Sequence, residues 1–300
     1  MKRWSVLLLV ILVLVYFRID FFSIASISGP LFGEAAEPLS QEASLALLQS
    51  YHYLGKGKQA YAFASADGKW VLKFFNQKYF KVPFWAAFLQ GERTKREKRR
   101  KFYLGSYRIA SKLLKEETGI VYLHQGLGQT PLPQLALTDK AGRTHRIDLN
   151  ETPFVLQKRA EPLYPALKAL TSDELNPAID QFLTLIASRI DLRIADGDHD
   201  VKNNFGMLEG RIVHLDPGRL YIEEALWEPE KLKYEWWSAT HRFREWLEQN
   251  HPDRLTFFDK RVETNLQRVL QRPPASPLPR TDVHAPLNNS MTSLSLVCGN

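Results

Sequence analysis

The sequence predicts an α+β fold in two parts, a strand-rich part over residues 46–160 and a mostly helical part over residues 161–271. In the first part, short apolar runs are separated by turns that contain glycine, proline or aspartate, which is typical of strands and hairpins. In the second part, apolar residues recur at helical spacing over long segments. A chain of 300 residues is long enough for one or two compact units.

The strand-rich part is expected to open with a hairpin around a turn that contains Gly55 and Gly57. A returning strand is predicted over residues 61–64, and an Asp-Gly pair then turns the chain into a strand over residues 70–75. Lys73 is the only charged residue of that last strand. Glycines lack a side chain, so another group can approach their backbone closely.

A long helix is predicted over residues 92–118, because its apolar side chains follow helical spacing. The stripe consists of Phe102, Tyr103, Ser106, Tyr107, Ala110, Leu113 and Leu114. Further strands are predicted over residues 120–123, 132–137 and 152–159. The last of these ends in polar residues, which include Gln157 and Lys158, before a segment with two prolines.

The helical part is expected to begin with a helix over residues 171–189. Thr171 and Glu174 have the spacing of a capping box, which marks a helix start. Two more helical segments, over residues 219–248 and 252–270, contain many aromatic residues that we expect to be buried.

The ends of the chain differ from its middle. Residues 1–28 are predicted to be a signal peptide or a signal anchor, because Lys2 and Arg3 precede an apolar run over residues 4–17. This run is short for a bilayer span, so cleavage and retention both stay open. If the segment is retained, we expect the protein to be membrane-anchored and to contact the membrane through it; if it is cleaved, we expect the protein to be exported. In both cases the folded part is expected outside the cytoplasm.

Residues 29–45 are predicted to be a linker, which runs into a short helix over residues 40–50 that begins at Ser40. Residues 272–300 are expected to be a disordered tail rich in proline and serine. Cys298 is the only cysteine, so an intrachain disulfide is excluded.

The net charge of +7 comes in part from a basic run over residues 93–101. Such a run is most often the solvated face of a helix. It would also suit an anionic membrane surface or a phosphorylated partner. No aromatic residue interrupts the run, so no nucleic-acid partner is expected.

Residues 196–218 combine acidic and amide side chains with a short hairpin and an Asp-Pro-Gly turn. Asp198 is five residues before Asn203, which is thirteen residues before Asp216. Phosphoryl transfer from a nucleotide needs a carboxylate that orients the attacking hydroxyl, together with an asparagine and a second aspartate that hold Mg²⁺.

These motifs, in this order and spacing, resemble those of the protein kinase-like superfamily, which also includes small-molecule kinases such as aminoglycoside phosphotransferases. The resemblance is specific at residues 54–73 and 196–218 and extends in the order of elements over residues 50–270. It implies a two-lobed protein kinase-like fold, with an antiparallel small-lobe sheet and a reduced, mostly helical large lobe. It also implies ATP and Mg²⁺ as cofactors and a protein or a small hydroxyl compound as acceptor.

The resemblance also implies roles for individual residues. The nucleotide would be bound by Gly55, Gly57, Lys73, Glu97, Gln157 and Lys158. In this set Gly55, Gly57 and Lys73 contact the phosphates. A glutamate of the long helix pairs with Lys73, and we prefer Glu97 to Glu92 because it lies within the periodic part of the helix. Gln157 and Lys158 would lie in the connection between the lobes, whose backbone groups bond the adenine. Lys73 would also belong to the catalytic set.

The loop after residue 196 can be aligned in two ways. In the first, Asp198 orients the acceptor and Asn203 holds the metal. In the second, Asp200 stands in for the catalytic aspartate and Asn204 holds the metal. We prefer Asp198 on spacing, and the choice of asparagine stays open. Asp216 is a metal ligand in both alignments.

The chain also departs from the family pattern. Ala60 stands where the third glycine of the nucleotide loop is expected, Asp196-Gly197 replaces a His-Arg pair, and Pro217 replaces a phenylalanine. Three functions therefore stay in competition. The first is an ATP- and Mg²⁺-dependent phosphotransferase, and the second is a pseudokinase that binds nucleotide, or is inert, and serves as an interaction module. The third is a membrane-tethered interaction protein of unrelated α+β fold, which nucleotide would not stabilise.

Overall fold

The computed structural model describes residues 22–31, 37–81, 90–126, 128 and 131–271. The predictions for the apolar run at residues 4–17 and for the tail at residues 272–300 lie outside this described part. Within it, no helix is both long and apolar enough to span a membrane.

The strands are β1 Tyr51–Lys56, β2 Ala60–Ser65, β3 Trp70–Phe75, β4 Ile120–His124, β5 Gln134–Thr138, β6 Thr144–Asp148, β7 Phe154–Lys158, β8 Glu161–Pro162, β9 Ile194–Asp196, β10 Phe205–Leu208, β11 Arg211–His214 and β12 Leu220–Ile222. The helices are α1 Gln41–Leu47, α2 Gln77–Phe80, α3 Gln90–Leu113, α4 Lys115–Thr118, α5 Leu163–Lys168, α6 Ser172–Asp191, α7 Val201–Asn204, α8 Pro229–Asn250 and α9 Leu255–Gln271.

The first seven strands form one sheet in the order β4-β7-β3-β2-β1-β5-β6. Its neighbours are antiparallel except for β1 and β5, which run parallel. The remaining strands form a small sheet, β11-β10-β8, and a pair, β12-β9. The α+β class and the division into a sheet lobe and a mostly helical lobe are therefore confirmed. The parallel pair is the one departure from the antiparallel sheet that we predicted.

The two faces of the large sheet are covered by different parts of the chain. Phe22, Ile27 and α1 pack with Phe63 and Leu72 on one face. Ser40 caps α1 as predicted, because its hydroxyl accepts a hydrogen bond from the Ala43 N–H over 3.1 Å. The last residues of the predicted linker are thus part of this lobe's core.

Helix α3 covers the other face and also contacts the second lobe. Tyr103 and Tyr107 are buried against Phe75, and the same apolar cluster includes Ile194 and Leu220 of the β9–β12 pair. The helix ends earlier than predicted. Leu113 is its last residue, and α4 forms a separate turn that ends at Gly119, whose φ is +64°. Glycine adopts this left-handed conformation without the strain that a side chain would cause.

The helical lobe is built on α6, α8 and α9, whose apolar faces share one core that includes Phe182, Trp236, Phe243 and Phe258. The predicted capping box is present at the start of α6. The helix predicted from residue 219 begins only at Pro229, because Leu220–Ile222 instead form β12 and pair with β9. Proline is favoured in the first turn of a helix, where no backbone N–H is needed.

Candidate active site

The carbonyl of Leu215 connects the two lobes. It accepts hydrogen bonds from Lys73 Nζ on β3 and, over 3.2 Å, from Gln157 Nε2 on β7. Leu215 follows β11 directly and precedes Asp216. This bond to Leu215 therefore brings Lys73, the predicted phosphate-binding residue, close to Asp216, the predicted metal ligand.

The β10–β11 hairpin places Asn204 beside Asp216. Phe205 pairs with His214 at the open end of the hairpin, and the Leu215 N–H donates to the Asn204 carbonyl over 2.6 Å. The Asp216 N–H is 3.4 Å from the same carbonyl oxygen. Residues that are twelve positions apart in sequence become neighbours because the hairpin between them is short and regular.

The structure distinguishes the two asparagines. Asn204 is buried and its Nδ2 donates to the Asp198 carbonyl over 3.0 Å. Asn203 is exposed and its Nδ2 donates to Asp200 Oδ2 over 2.6 Å. Asn204, and not Asn203, therefore adjoins both Asp198 and Asp216.

Asp198 and Asp200 have different surroundings. The Asp198 side chain is about half exposed, and its Oδ2 is 3.9 Å from Arg219 Nε. Asp200 precedes α7 and its Oδ1 is 3.9 Å from Arg242 Nη1 on α8. Asp198 is held by bonds to the rest of the site, whereas Asp200 is directed to the helical lobe.

Helix α3 supplies a hydrogen-bond donor to Asp216. The Tyr107 hydroxyl donates to Asp216 Oδ1 over 3.1 Å, and the Tyr103 hydroxyl is 3.4 Å from that of Tyr107. Burial, together with the nearby Asp216 carboxylate, raises the pKa of both phenols well above 10, so they stay neutral donors. Gly218 is required here, because a Cβ at this position would overlap the Tyr103 ring.

The charge of Lys73 is set by two opposing effects. Burial lowers its pKa, and the Asp216 carboxylate raises it. Burial is the larger of the two effects, so the pKa of Lys73 is lowered overall. The ammonium group donates its hydrogen bond to the Leu215 carbonyl.

Gly55 and Gly57 lie where β1 turns into β2. A Cβ added at Gly55 would meet no atom within 4 Å, and one at Gly57 would only approach the Ala60 carbonyl at 3.9 Å. Packing within the chain therefore does not require these glycines. Asn76 holds the turn in place, because its Nδ2 donates to the Lys58 carbonyl over 3.0 Å. The space next to the Gly55 backbone, where a side chain would lie, is open.

Three residues that were expected to contact the nucleotide or Lys73 have other partners in this structure. Glu97 does not pair with Lys73, because its exposed carboxylate is 3.1 Å from Lys101 Nζ one turn further along α3. Gln157 is a buried bridge between Leu215 and the Thr118 carbonyl. Lys158 lies inside the sheet, where its N–H donates to Gly119, and its Nζ is 3.3 Å from Glu42.

The two polar residues at the end of β7 therefore do not form the connection between the lobes, because β7 is paired on both sides. The connection is one step later, at residues 159–162, where β8 pairs with β10. Gly206 permits this pairing, since a Cβ there would press on the Glu161 carbonyl and the Leu215 side chain.

A buried polar cluster beneath the Asp198 loop was not predicted. Arg189 Nη2 is 2.6 Å from Glu235 Oε1, which also accepts from the Asp196 N–H over 3.1 Å. Asp196 Oδ1 in turn accepts from the Asp198 N–H over 2.9 Å. The cluster therefore joins α6 and α8 to the backbone of Asp198.

Two members of this cluster have strongly shifted pKa values. Burial raises the pKa of Asp196 to about 6, although Arg189 acts in the opposite direction. Burial and the neighbouring Arg189 lower the pKa of His214 to about 3. His214 Nε2 is 3.6 Å from Asp196 Oδ2, and its ring stacks on Phe205 at 4.6 Å.

Arg219 is a second residue that the sequence did not indicate. Its Nη1 donates to the Gly197 carbonyl over 3.3 Å, and its carbonyl accepts from the Gly197 N–H over 3.1 Å. This double contact fixes a positive charge beside Asp198. The only sequence signal was its position directly after the Asp-Pro-Gly turn.

Comparison with known proteins adds little to this description. No family model matches the chain, and no curated protein matches it. Among solved structures, a medium-resolution structure of the bifunctional kinase-methyltransferase WbdD is 11% identical with a TM-score of 0.38, covering 75% of this chain and 46% of that one.

A high-resolution crystal structure of WbdD is 11% identical with a TM-score of 0.39, covering 78% of this chain and 48% of that one. A co-crystal structure of WbdD with the kinase inhibitor LY294002 is 10% identical with a TM-score of 0.38, covering 74% and 46%. The chain thus spans a little under half the length of each of these proteins. A likeness of this extent leaves the activity to be argued from the site itself.

Proposed function

We propose that this chain is an ATP- and Mg²⁺-dependent phosphotransferase of the protein kinase-like superfamily, exported or membrane-tethered, that acts on a hydroxyl group of a protein or a small molecule. One observation carries the proposal. Lys73, Asn204 and Asp216 meet around the backbone of Leu215, and Asn204 is bonded to the carbonyl of Asp198.

The donor atoms at this meeting point suit Mg²⁺, which prefers carboxylate and amide oxygens. Asn204 uses its Nδ2 on Asp198, and its Oδ1 has no hydrogen bond within the described part of the chain. Asp216 accepts from Tyr107 through Oδ1, and its Oδ2 has no such bond to any described residue. Asn204 and Asp216 are thus the residues that would hold the ion.

Among the described residues, no group of three or more His, Cys, Asp or Glu side chains could hold a metal ion alone. This fits an ion that is bound by one or two protein side chains and completed by substrate phosphates and water, as is usual for Mg²⁺. The bound ion would neutralise charge on the phosphates.

Asp198 is the residue that would orient the acceptor. Its side chain is about half exposed, whereas its backbone is fixed by bonds from Asn204 and to Asp196. The new bond forms between the acceptor oxygen and the γ-phosphorus, and the bond from this phosphorus to the β–γ bridging oxygen breaks, which releases ADP. The hydroxyl proton passes to the Asp198 carboxylate and then to solvent.

A second function, nucleotide binding without turnover, is favoured by one observation. Both key polar groups have partners within the protein, since Lys73 donates to Leu215 and Asp216 accepts from Tyr107. If these bonds persist when nucleotide binds, the site would hold a ligand but would not align it for transfer.

A measurement of phosphate transfer, to water or to an acceptor, distinguishes the phosphotransferase from a protein that only binds nucleotide. The full chain is incubated with MgATP, and ADP release is measured for the parent, for Asp198→Asn and for the matched control Asp200→Asn. Loss of an acid–base group costs about 100-fold or more in rate. We expect this loss in Asp198→Asn and little change in Asp200→Asn. Absence of turnover in a parent that binds MgATP would favour the second function.

A further inference from the structure

The first half of α3 carries four exposed basic residues on its outward surface, Arg93, Lys95, Lys98 and Lys101, which we call the basic face. Among the described residues, Arg93 and Lys98 have no ion pair. Lys95 is 4.0 Å from Glu92, and Lys101 is 3.1 Å from Glu97. At 3.6 residues per turn Lys95, Lys98 and Lys101 lie within about 120° of the helix circumference, and Arg93 lies about 80° from Lys101. Of the carboxylates in the described part of the chain, only two pair with these four basic residues, so the surface keeps an excess of positive charge.

The opposite side of the same helical turns faces the protein. Arg96 Nη1 donates to the Tyr79 carbonyl over 3.2 Å, and the Arg99 guanidinium lies 4.7 Å from the centre of the Tyr79 ring. Arg100 Nη2 donates to the Pro30 carbonyl over 2.7 Å. The helix is therefore fixed in rotation, and the basic face is held outward.

The contact with Pro30 brings the amino-terminal part of the chain to this helix. Lys81 Nζ also donates to the nearby Ser28 carbonyl over 3.3 Å. Phe22 is anchored on the sheet against Tyr61 and Phe63. It follows the end of the apolar run by only five residues, which span at most about 18 Å when fully extended.

The segment that precedes α3 in the sequence also has residues that suit a membrane surface. The segment 82–89, which directly precedes the helix, contains Phe84, Trp85 and Phe88 and no charged residue. Aromatic rings prefer the headgroup level of a membrane, and clusters of basic residues are attracted to anionic lipids.

We propose that the basic face binds the anionic headgroups of a lipid bilayer, so that α3 lies on the membrane next to the amino-terminal segment. The occupant is a lipid surface, because the face is broad, exposed and close to the predicted membrane segment. Each basic residue near such a surface strengthens binding about fivefold, which corresponds to about 1 kcal/mol. The inference concerns orientation on the membrane and does not depend on the proposed activity.

The test measures hydrogen exchange at the backbone amides of α3 in the full chain. The protein is placed in nanodiscs of phosphatidylcholine alone, or of phosphatidylcholine with phosphatidylglycerol. We expect residues 94–101 to exchange at least about fivefold more slowly in the anionic nanodiscs, and α9 to exchange equally in both. Equal exchange of α3 in the two lipids would overturn the proposal.

Variants separate charge from folding. Replacing all four residues of the basic face by Gln should abolish the lipid difference. The matched control removes four exposed positive charges from the helical lobe, at Lys168, Lys231, Lys233 and Lys260, and should leave the difference intact. Changing Lys95, Lys98 and Lys101 to Arg preserves charge and should also leave it intact.

Salt and nucleic acid complete the design. Raising the salt concentration to about 1 M shortens the screening length to about 3 Å and should remove the protection. Protection that persists in the four-Gln variant would contradict the proposal. The same applies to protection that a single-stranded oligonucleotide produces but anionic lipid does not.

Discussion

The Tyr107 hydroxyl donates a hydrogen bond of 3.1 Å to Oδ1 of Asp216, which links helix α3 of the sheet lobe to the predicted metal ligand. Because Tyr107 is fully buried and its pKa is raised, it remains a neutral donor. It occupies one oxygen of the carboxylate and leaves the other to a metal ion. The position of α3 and the orientation of Asp216 are therefore coupled.

Tyr107→Phe should weaken the binding of Mg²⁺ in the presence of ATP. Removal of one buried hydrogen bond costs about 1 kcal/mol, and we expect about a fivefold rise in the Mg²⁺ concentration needed for half-saturation. Isothermal titration measures it. Tyr51→Phe is the matched control, because the Tyr51 hydroxyl is also buried but donates to the Ala46 carbonyl. An equal effect in both variants would show that stability, and not the bond to Asp216, is responsible.

The two asparagines should differ in their effect on the metal. Asn204→Ala removes a side chain that adjoins Asp198 and Asp216, whereas Asn203→Ala removes one that bonds Asp200. We expect Asn204→Ala to lose most of the Mg²⁺-dependent part of nucleotide binding and Asn203→Ala to keep it. The reverse result in the same titration would show that Asn203, and not Asn204, is the metal ligand.

The pH dependence of stability should show the opposed titrations of Asp196 and His214. Burial raises the pKa of Asp196 to about 6, against about 3.9 when unfolded, so its contribution to stability grows as the pH falls from 6 towards 4. Burial lowers the pKa of His214 to about 3, against about 6.5, so its contribution is lost over the same range. The two slopes therefore oppose each other.

Asp196→Asn should remove one of these slopes. Between pH 6 and 4.5 the variant should lose about 1.5 kcal/mol of unfolding free energy relative to the parent, since a full proton contributes about 1.4 kcal/mol per pH unit and the Asp196 carboxyl is half protonated at pH 6. Urea unfolding at the two pH values measures the difference. Asp253→Asn, at an exposed position, should show none. A parallel change in parent and Asp196→Asn would mean that the buried carboxyl does not titrate in this range.

Gly218→Ala should destabilise the protein, because its Cβ would overlap the Tyr103 ring and lie 3.1 Å from Asp216 Oδ1. Overpacking of this kind costs about 1–3 kcal/mol. Thermal unfolding measures it, and Gly55→Ala is the comparison, since a Cβ there meets no atom within 4 Å. Equal melting temperatures of Gly218→Ala and the parent would show that α3 shifts to accommodate the added methyl group without loss of stability.

Local sequence patterns predicted the elements that carry the site better than the contacts between them. The strand around Lys73, the helix capped by Thr171 and the hairpin before Asp216 follow from apolar spacing and turn residues, which are properties of neighbours in sequence. The helix predicted from residue 219 was wrong, because pairing of β12 with β9 overrides the local preference.

The contacts that the sequence did not predict all depend on tertiary packing. Glu97 and Tyr107 both lie on α3, about 15 Å apart along its axis, and only the packing of the helix against the sheet decides which of them reaches Asp216. The pairing of Arg189 with Glu235 joins two helices that are far apart in sequence. Spacing along one chain contains no information on such pairs, so the buried cluster could not be predicted from it.

The most direct test of the central claim is the thermal unfolding of the full chain with and without MgATP. A ligand that binds only the folded state raises the melting temperature by mass action. We expect a rise that requires Mg²⁺, that is lost in Asp216→Asn and that is retained in Asp200→Asn. No rise at saturating MgATP, or an equal rise in Asp216→Asn, would contradict the assignment of a nucleotide and metal site to the seam between the lobes.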